Sequence, residues 1–567
     1  MSDWHVITRR SFLATTAAAG ASVALAGCDK LTGQPKDVLP PTTPETKPVA
    51  MTVDDNPIVT HPENAPSGFF GDDPNRFHPL LWNKAASVQQ YGGLPTDVAS
   101  FERTKVCIVG GGLGGLSAAY LTRELKPLLL EGAVRLGGNA KGQIWKGVTY
   151  GMGSAYITNA THGDEHMKML ADLGLTGRFD DPTHDQMYID GIVHKEFWFG
   201  GTDQKRAKDF VAAWNYFKRV REKQFPEVPF DPKGDLSPEQ FAKLDQKTFQ
   251  QELRDQLGKQ LHPHVEDVVR QYCWSSFGGD YTEISAAAGL NFLASDLGGM
   301  YAFPGGNAAI SQALVTRLRK DLGQDAIRSS LRVLDVRRAE DGVRVTYVGA
   351  DEKLHTILAD TCIVCTPKFV AKKLIDDLPQ EQLDAINKLK YRAYIVGHVL
   401  IEQAREPDFH DLYCIAGKAP EGSLKDEVVK RPFTDCVLAT FASNGHPERT
   451  VLNLFRGMPY DESRMELYQP GSYEKHKQML EPFIPKVVKA LGMDPSKVVD
   501  VRASGWGHPM VMPTPGLISG GVTAKASAPH HGRIFFAQQD NHALSGFEIA
   551  FAAAFEAAAN VRKVLAA

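Results

Sequence analysis

Apolar positions along the chain recur with two spacings. Lys105-Val106-Cys107-Ile108-Val109 is a short β-rich run that stops at Gly110-Gly111-Gly112-Leu113-Gly114-Gly115, after which Leu116, Ala119 and Tyr120 follow at helical spacing. The pattern predicts strand, glycine turn and helix, and Leu128-Leu129-Leu130 predicts the next strand. Ile310, Ala313, Leu314, Leu318 and Leu322 mark a helix after Phe303-Pro304-Gly305-Gly306-Asn307. Residues 203–260 are charged and helix-rich, with Phe210, Ala213, Trp214 and Phe217 on one face, while Lys390 to Val399 alternates like a strand. A long helix rich in Ala550, Ala552, Ala553 and Ala554 closes the chain, and Ser545-Gly546-Phe547-Glu548 has the pattern of a capping box at its start. No internal repeat is visible.

The first of these units carries chemistry. Gly110 allows a tight turn, Gly112 lets a pyrophosphate approach the backbone, and Gly115 lets helix and strand pack closely. Leu113 and Gly114 open the helix whose N-terminus faces the phosphates. Glu131 ends the second strand, 21 positions after Gly110, where a carboxylate accepts hydrogen bonds from a ribose. The spacing is that of a dinucleotide-binding α/β unit.

The next residues narrow the cofactor. Glu131-Gly132-Ala133-Val134-Arg135-Leu136-Gly137-Gly138 resembles the E-x-x-x-R-x-G-G continuation of the flavin-containing amine oxidase superfamily, which extends to phytoene desaturase-like enzymes. Asp360-Thr361-Cys362-Ile363-Val364-Cys365-Thr366-Pro367 and Arg533-Ile534-Phe535-Phe536-Ala537-Gln538-Gln539-Asp540 resemble two further strands of that family. The resemblance implies FAD and an α/β fold. A Rossmann-like FAD-binding domain would be built from residues 101–160, 300–370 and 500–567, with an inserted mixed α+β substrate domain from 161–299 and 371–499.

The resemblance also assigns roles. Gly110, Gly112, Leu113, Gly114, Gly115, Glu131, Gly132, Arg135, Gly137 and Gly138 would surround the cofactor. Val333 would contact the adenine through its backbone, Asp540 the ribityl hydroxyls, and Phe547 would stand in front of the flavin as one ring of a substrate cage. Departures accompany these matches. Asn139 replaces an arginine, Gln538 a glycine, Val396 a lysine, and Pro509 the second ring of the cage. His508 falls where some members carry a flavin-linking cysteine, with Trp506 beside it, so His508, Trp506 and Phe547 are the candidate catalytic residues. His508 is equally readable as a packed turn histidine. Cys362 and Cys365 sit three apart on a strand and point to opposite faces, which makes them buried structural thiols.

Composition adds bounds. The 567 residues are 43% hydrophobic and 23% charged, with a net charge of −4 and no dense basic run, which excludes nucleic acid as a partner. Seven cysteines cannot form a disulfide scaffold. No metal-ligand spacing or Ser-His-Asp arrangement stands out, and His530-His531 reads as a surface pair.

Residues 1–28 read as an export signal. Arg9-Arg10-Ser11-Phe12-Leu13 resembles a twin-arginine motif, and Leu25-Ala26-Gly27-Cys28 a lipobox that would lipidate Cys28. Ordinary cleavage with a coincidental cysteine is the alternative. Residues 29–100 form a Pro-rich linker and lead-in, with 10 of the 34 prolines between Asp29 and Pro79. Phe69, Phe70, Phe77, Leu80, Leu81 and Trp82 would dock its far end on the body.

The expectation is therefore an exported, periplasmic or envelope-anchored flavoenzyme. It would transfer a hydride from a substrate C–H, an amine, to flavin N5, and pass electrons to oxygen or a membrane acceptor. Two alternatives stand beside it: a flavin-dependent desaturase or isomerase of an apolar substrate, and a non-catalytic flavin-binding envelope protein.

Overall fold

Val106 to Val109 are all buried, as the middle of a parallel sheet requires. The computed structural model describes residues 54–61, 69, 71, 79–158, 165–340, 342–416, 422–431 and 433–566. The signal segment with Cys28, and Phe70 and Phe77, lie outside the described residues.

Glu102–Val109 pairs in parallel with Leu128–Leu130 on one side and with Leu354–Val364 on the other, and Ile327–Arg328 extends the sheet beyond Leu128–Leu130. Leu354–Val364 serves two neighbours on its far edge. Its first half pairs antiparallel with Gly342–Val348, which continues to Arg332–Ala339, and its last residues pair in parallel with Ile534–Phe536. Apolar residues of the helices Leu113–Leu121, Ala308–Leu322 and Phe547–Ala566 form one cluster with this sheet, and Lys368–Leu374 and Gln380–Asn387 contribute to another. Cys362 belongs to one cluster and Cys365 to the other, so the two thiols lie on opposite faces, both buried and free of disulfides.

A second seven-stranded sheet runs in the order Val498–Val511, Tyr391–Ile401, Thr450–Gly457, Asp435–Leu438, Asp411–Cys414, Gln186–Ile189, Ile192–His194. Tyr391–Ile401 is buried along nearly its whole length. Beside this sheet, Ala207–Lys223 buries Phe210, Ala213, Phe217 and Val220 together with residues of Phe249–Leu257, Pro263–Phe277 and Ala286–Asp296, and Trp214 packs at the margin of that cluster. Residues 500–511, which the family resemblance groups with the cofactor segments, are strand residues of this sheet. No helix among the described residues is long and apolar enough to cross a membrane.

Three local readings need correction. The Pro-rich stretch is not a tether throughout: Ile58–Thr60 adds a parallel strand to Gly142–Trp145. Arg135 donates to the carbonyls of Pro57 at 2.5 Å and Gly142 at 2.7 Å, and Arg319 holds both Asp55 carboxylate oxygens at 2.7 Å. Those cationic forks supply the anchorage that a proline-rich sequence lacks by itself. Farther along, Leu81 is buried while Trp82 remains 45% exposed.

The capping box at Ser545 does not form. The Ser545 hydroxyl donates to the Ser276 carbonyl on the helix Pro263–Phe277, and the Glu548 carboxylate accepts from the Thr158 amide at 2.6 Å, so both side chains are spent on distant partners. His530, read from sequence as a surface residue, is buried. It bonds Asp377 at 2.9 Å, the same carboxylate that accepts from exposed His531 at 2.8 Å.

Arg135→Met would leave the Asn56, Pro57 and Gly142 carbonyls short of a cationic donor, at about 1–3 kcal/mol for each buried group left unpaired. Amide exchange at residues 58–61 is expected to quicken at least tenfold while Glu102–Val109 stays protected, as read by hydrogen-exchange mass spectrometry.

Candidate active site

The cofactor end of the cavity is built from two glycine loops that meet. Gly110 takes a φ of +112°, which favours glycine, and turns the chain from the strand into the helix Leu113–Leu121. A Cβ on Gly115 would stand 1.8 Å from the Gly110 carbonyl oxygen. The second loop, Gly137-Gly138, crosses the first so closely that a Cβ on Gly138 would lie 3.0 Å from the Gly112 α-carbon. Both loops are bare of side chains where they face the cavity, and the helix N-terminus opens between them. That is the cradle a pyrophosphate needs, so the residues present fit FAD.

Glu131 organises the turn as well as facing the cavity. Its two carboxylate oxygens accept from the Gly111 and Ala133 amides, both at 2.6 Å. The cavity measures about 850 Å³, and Gly110, Gly112, Leu113, Gly114, Glu131, Gly132, Arg135, Gly137, Gly138 and Val333 all line it. Gly115 packs beneath the turn. Asp540 does not line the cavity; its neighbours Gln538 and Gln539 do. Its fully buried carboxylate accepts from the Lys368 amide at 2.8 Å and from the Tyr391 hydroxyl. Burial pushes the Lys368 ammonium down to about 8.

The opposite wall follows from strand register. Val396 lies across from Phe455, which lies across from Asp435, and Tyr394 lies across from Trp506. A side-chain period of two puts all five on one sheet face, and all five line the cavity. The Trp506 indole donates to the Met152 carbonyl at 2.9 Å, which fixes the ring. His508 lines the cavity with its ring 4.7 Å edge-on from Phe369, and burial, reinforced by the Arg464 charge, holds it well below the usual histidine range. It is neutral at physiological pH. Phe547, at the first turn of the last helix, completes the lining beside Phe292.

Several lining residues have contacts that the sequence does not announce. Asn139 donates to the Pro509 carbonyl at 3.0 Å and Gln539 does so at 2.5 Å, so two amides clamp the segment that bears His508. Lys141 lines the cavity with its ammonium 5.9 Å from the Trp506 ring centre. Tyr156 turns its hydroxyl away from the cavity onto Asp296, which also accepts from Tyr272, at 2.9 and 2.7 Å. Burial raises Asp296 to about 7. A parity count along each strand identifies which residues share a face, but only the long-range register says which strands are neighbours.

Two glycine loops on the parallel strands of one mixed sheet, facing an aromatic wall on the antiparallel strands of another, define a two-lobed flavoprotein of α/β class. Comparison with known proteins agrees. The family described as flavin containing amine oxidoreductase matches residues 113–562, and the chain belongs to that family. It is an FAD-dependent oxidoreductase of amine oxidase type.

Oxidoreductase PigB of a Serratia species is 21% identical over 527 residues, covering 81% of this chain and 75% of that protein. Among solved structures, putrescine oxidase bound to putrescine shares the fold with a TM-score of 0.61 at 16% identity, over 81% of this chain and 99% of that one. A fatty acid isomerase from P. acnes, which produces CLA, does so with a TM-score of 0.58 at 14% identity, over 80% and 97%.

Glu131→Gln leaves one acceptor oxygen where two amides need one each. At about 1–3 kcal/mol for the lost charge-assisted bond, FAD is expected to bind roughly 10- to 100-fold more weakly, as read by titrating apoprotein with FAD.

Asp296 gives a pH-dependent outcome. Its folded value, about 7, lies above the unfolded value of about 3.9. The unfolded chain therefore binds fewer protons between those values, and this carboxyl lowers stability as pH rises from 4 to 7. Asp296→Asn is expected to gain on the wild type across that window by up to about 4 kcal/mol, as read from urea midpoints at pH 4.5 and 8.

Proposed function

We propose that the enzyme removes hydride from the carbon beside an amine nitrogen. The observation that carries this reading is the wall facing the cofactor loops: Tyr394, Phe455 and Trp506 with the carboxyl of Asp435, which draws a cation without offering one. His508, kept neutral, does not repel it. Bound FAD supplies the two-electron acceptor. The chain's part is to hold the substrate carbon in line, to keep water out with its aromatic rings, and to take the ammonium proton on the Asp435 carboxylate, which frees the nitrogen lone pair to stabilise the imine product. The likeness to putrescine oxidase supports the same substrate chemistry.

The site contacts proposed for FAD are Gly110, Gly112, Leu113, Gly114, Glu131, Gly132, Arg135, Gly137, Gly138 and Val333. Asp540 acts on the ribityl side only through its neighbours. His508, Trp506 and Phe547 are proposed to touch the substrate. Oxygen or a membrane acceptor removes the electrons. The paired arginines and the Leu25-Ala26-Gly27-Cys28 sequence support export by the twin-arginine route and a lipid anchor in the cell envelope.

A second reading, isomerisation or desaturation of an apolar substrate, draws on the aliphatic part of the same wall at Val396, Val437 and Met510, and on the shared fold of the fatty acid isomerase.

Anaerobic mixing of the purified holoenzyme with amines, polyamines and amino acids is expected to bleach the oxidised flavin band with at least one amine. An unchanged band across that panel, together with turnover of a fatty acid to a product with a new or shifted double bond, would favour the second reading. The mass of the same preparation, isolated from its native host, is expected to begin at Cys28 with its lipid.

A further inference from the structure

Successive side chains on an extended strand point to opposite faces, so adjacent histidines there could not share a partner. His530 and His531 differ because the chain reverses between them and the strand Ile534–Phe536. The His530 amide donates to the Ile534 carbonyl at 2.8 Å, and its carbonyl accepts from the Ile534 amide at 3.0 Å. Within that tight reversal His531 and Gly532 take φ values of +49° and +64°. Left-handed backbone at two successive turn positions is what asparagine-glycine commonly supplies, and here a histidine stands in the asparagine's place. The turn brings the two imidazole centres to 3.9 Å from each other.

Both rings face one carboxylate. Nε2 of His530 lies 2.9 Å from Asp377 Oδ1, and Nε2 of His531 lies 2.8 Å from Asp377 Oδ2. The loop that carries Asp377 is pinned, since Ile375 and Leu378 on either side are buried in the apolar cluster that also holds Ile534. Among the described residues the ion-pair partners of Asp377 are the two histidines. The adjacent Asp376 is spent on Lys84 at 2.9 Å, and Arg337, which acts on Asp377 by charge, is itself tied to Asp335. The three side chains place their ligand atoms within 4.8 Å of one another.

Two imidazole nitrogens and a carboxylate oxygen suit zinc and its neighbours in the late transition series, whereas magnesium and calcium take oxygen ligands. Around a tetrahedral zinc ion, with ligands at about 2.0–2.1 Å, neighbouring ligand atoms stand about 3.3 Å apart. The two contacts therefore need to open by only about half an ångström. Each ring then carries its proton on Nδ1 and presents the Nε2 lone pair to the metal. His531 and Asp377 are exposed, which leaves the fourth position to water.

We propose that Asp377, His530 and His531 bind one divalent ion of the zinc class, in a structural role. None of the three lines the flavin cavity, so the ion takes no part in the chemistry there. Its effect is on assembly. The helix Lys368–Leu374 leads into the Asp377 loop, and the Lys368 amide donates to Asp540 at 2.8 Å. Segments 368–378 and 530–540 are thus joined at the cofactor end by Lys368 and Asp540, and at the opposite end of Ile534–Phe536 by the trio. An ion at the trio fastens the strand whose docking closes the cofactor cradle.

The test uses the tag-free holoenzyme, cleared of metal by dialysis against a chelator and then against plain buffer. Zinc chloride is titrated in by isothermal calorimetry, and thermal unfolding is followed at rising zinc concentration. The expected result is one zinc ion per chain with a micromolar or tighter Kd, and an unfolding midpoint that climbs with zinc. Magnesium and calcium should give neither. His531→Asn keeps a residue suited to the left-handed turn and removes one imidazole, so FAD content is expected to stay the same while zinc affinity falls at least about tenfold. Should that variant lose FAD, Asp377→Asn, a change of equal size at an exposed position, serves the same comparison. A wild type that binds no zinc in the micromolar range would overturn the proposal and leave the trio as an ion pair. Zinc binding that keeps its affinity in the variants would overturn it as well, because the ion would then sit elsewhere on the chain.

Discussion

A methyl group added at Gly115 would lie 1.8 Å from the Gly110 carbonyl oxygen, and one added at Gly114 would lie 2.5 Å from the carbonyl oxygen of Ala537. The start of one helix is therefore pressed at once against the strand that precedes it and against a strand end 423 positions later. The cofactor cradle cannot form from the first hundred residues of the body alone. It closes only when Ile534–Phe536 has docked beside Leu354–Val364, and the whole antiparallel lobe must by then have been threaded between them. This explains why so much contact is long-range, and why the second sheet ends on a strand, Val498–Val511, that runs straight back to the cofactor loops.

Local sequence made the cradle legible because its constraints are local: a turn at Gly110, a close approach at Gly115, a carboxylate at Glu131. The thiols Cys362 and Cys365 were legible for the same reason, since parity along one strand settles their faces. The wall opposite was not. Phe455 and Asp435 lie 59 and 39 positions from Val396, and nothing in their neighbourhoods announces that three strands align them. Arg135 shows a third case. The motif was visible, yet the guanidinium also serves the Asn56 and Pro57 carbonyls, whose need for a donor is apparent only once Ile58–Thr60 has paired. Ser545 shows the converse, where a local capping pattern yields to a tertiary acceptor at Ser276.

Two of the four departures from the family pattern share a direction. A neutral amide stands at Asn139 where an arginine is usual, and valine at Val396 where a lysine is usual. Each removes a cation from the cavity lining, and Asn139 is put to use as a donor to the Pro509 carbonyl. The histidine that Pro509 follows is kept neutral by burial and by the Arg464 charge. Lys141 remains, held over an aromatic ring at the edge of Trp506. The balance leaves the substrate wall acidic and aromatic, with little positive charge of its own.

That balance bears on what a cluster of carboxyls costs the fold. Asp180, Asp185, Asp296 and Asp411 line one small space beside Tyr156 and Tyr413. Four ionised groups there would each lose hydration and repel the others, and the chain relieves this by keeping protons on most of them. Burial holds Asp185 at about 8, Asp296 at about 7 and Asp180 at about 6, and burial, reinforced by the Asp435 charge, raises Asp411 as well. At neutral pH Asp185 therefore keeps its proton while Asp180 has lost its own, and the space carries less charge than four carboxylates would. Each proton that leaves as the pH rises adds to the cost, so this part of the fold is held best under mildly acid conditions.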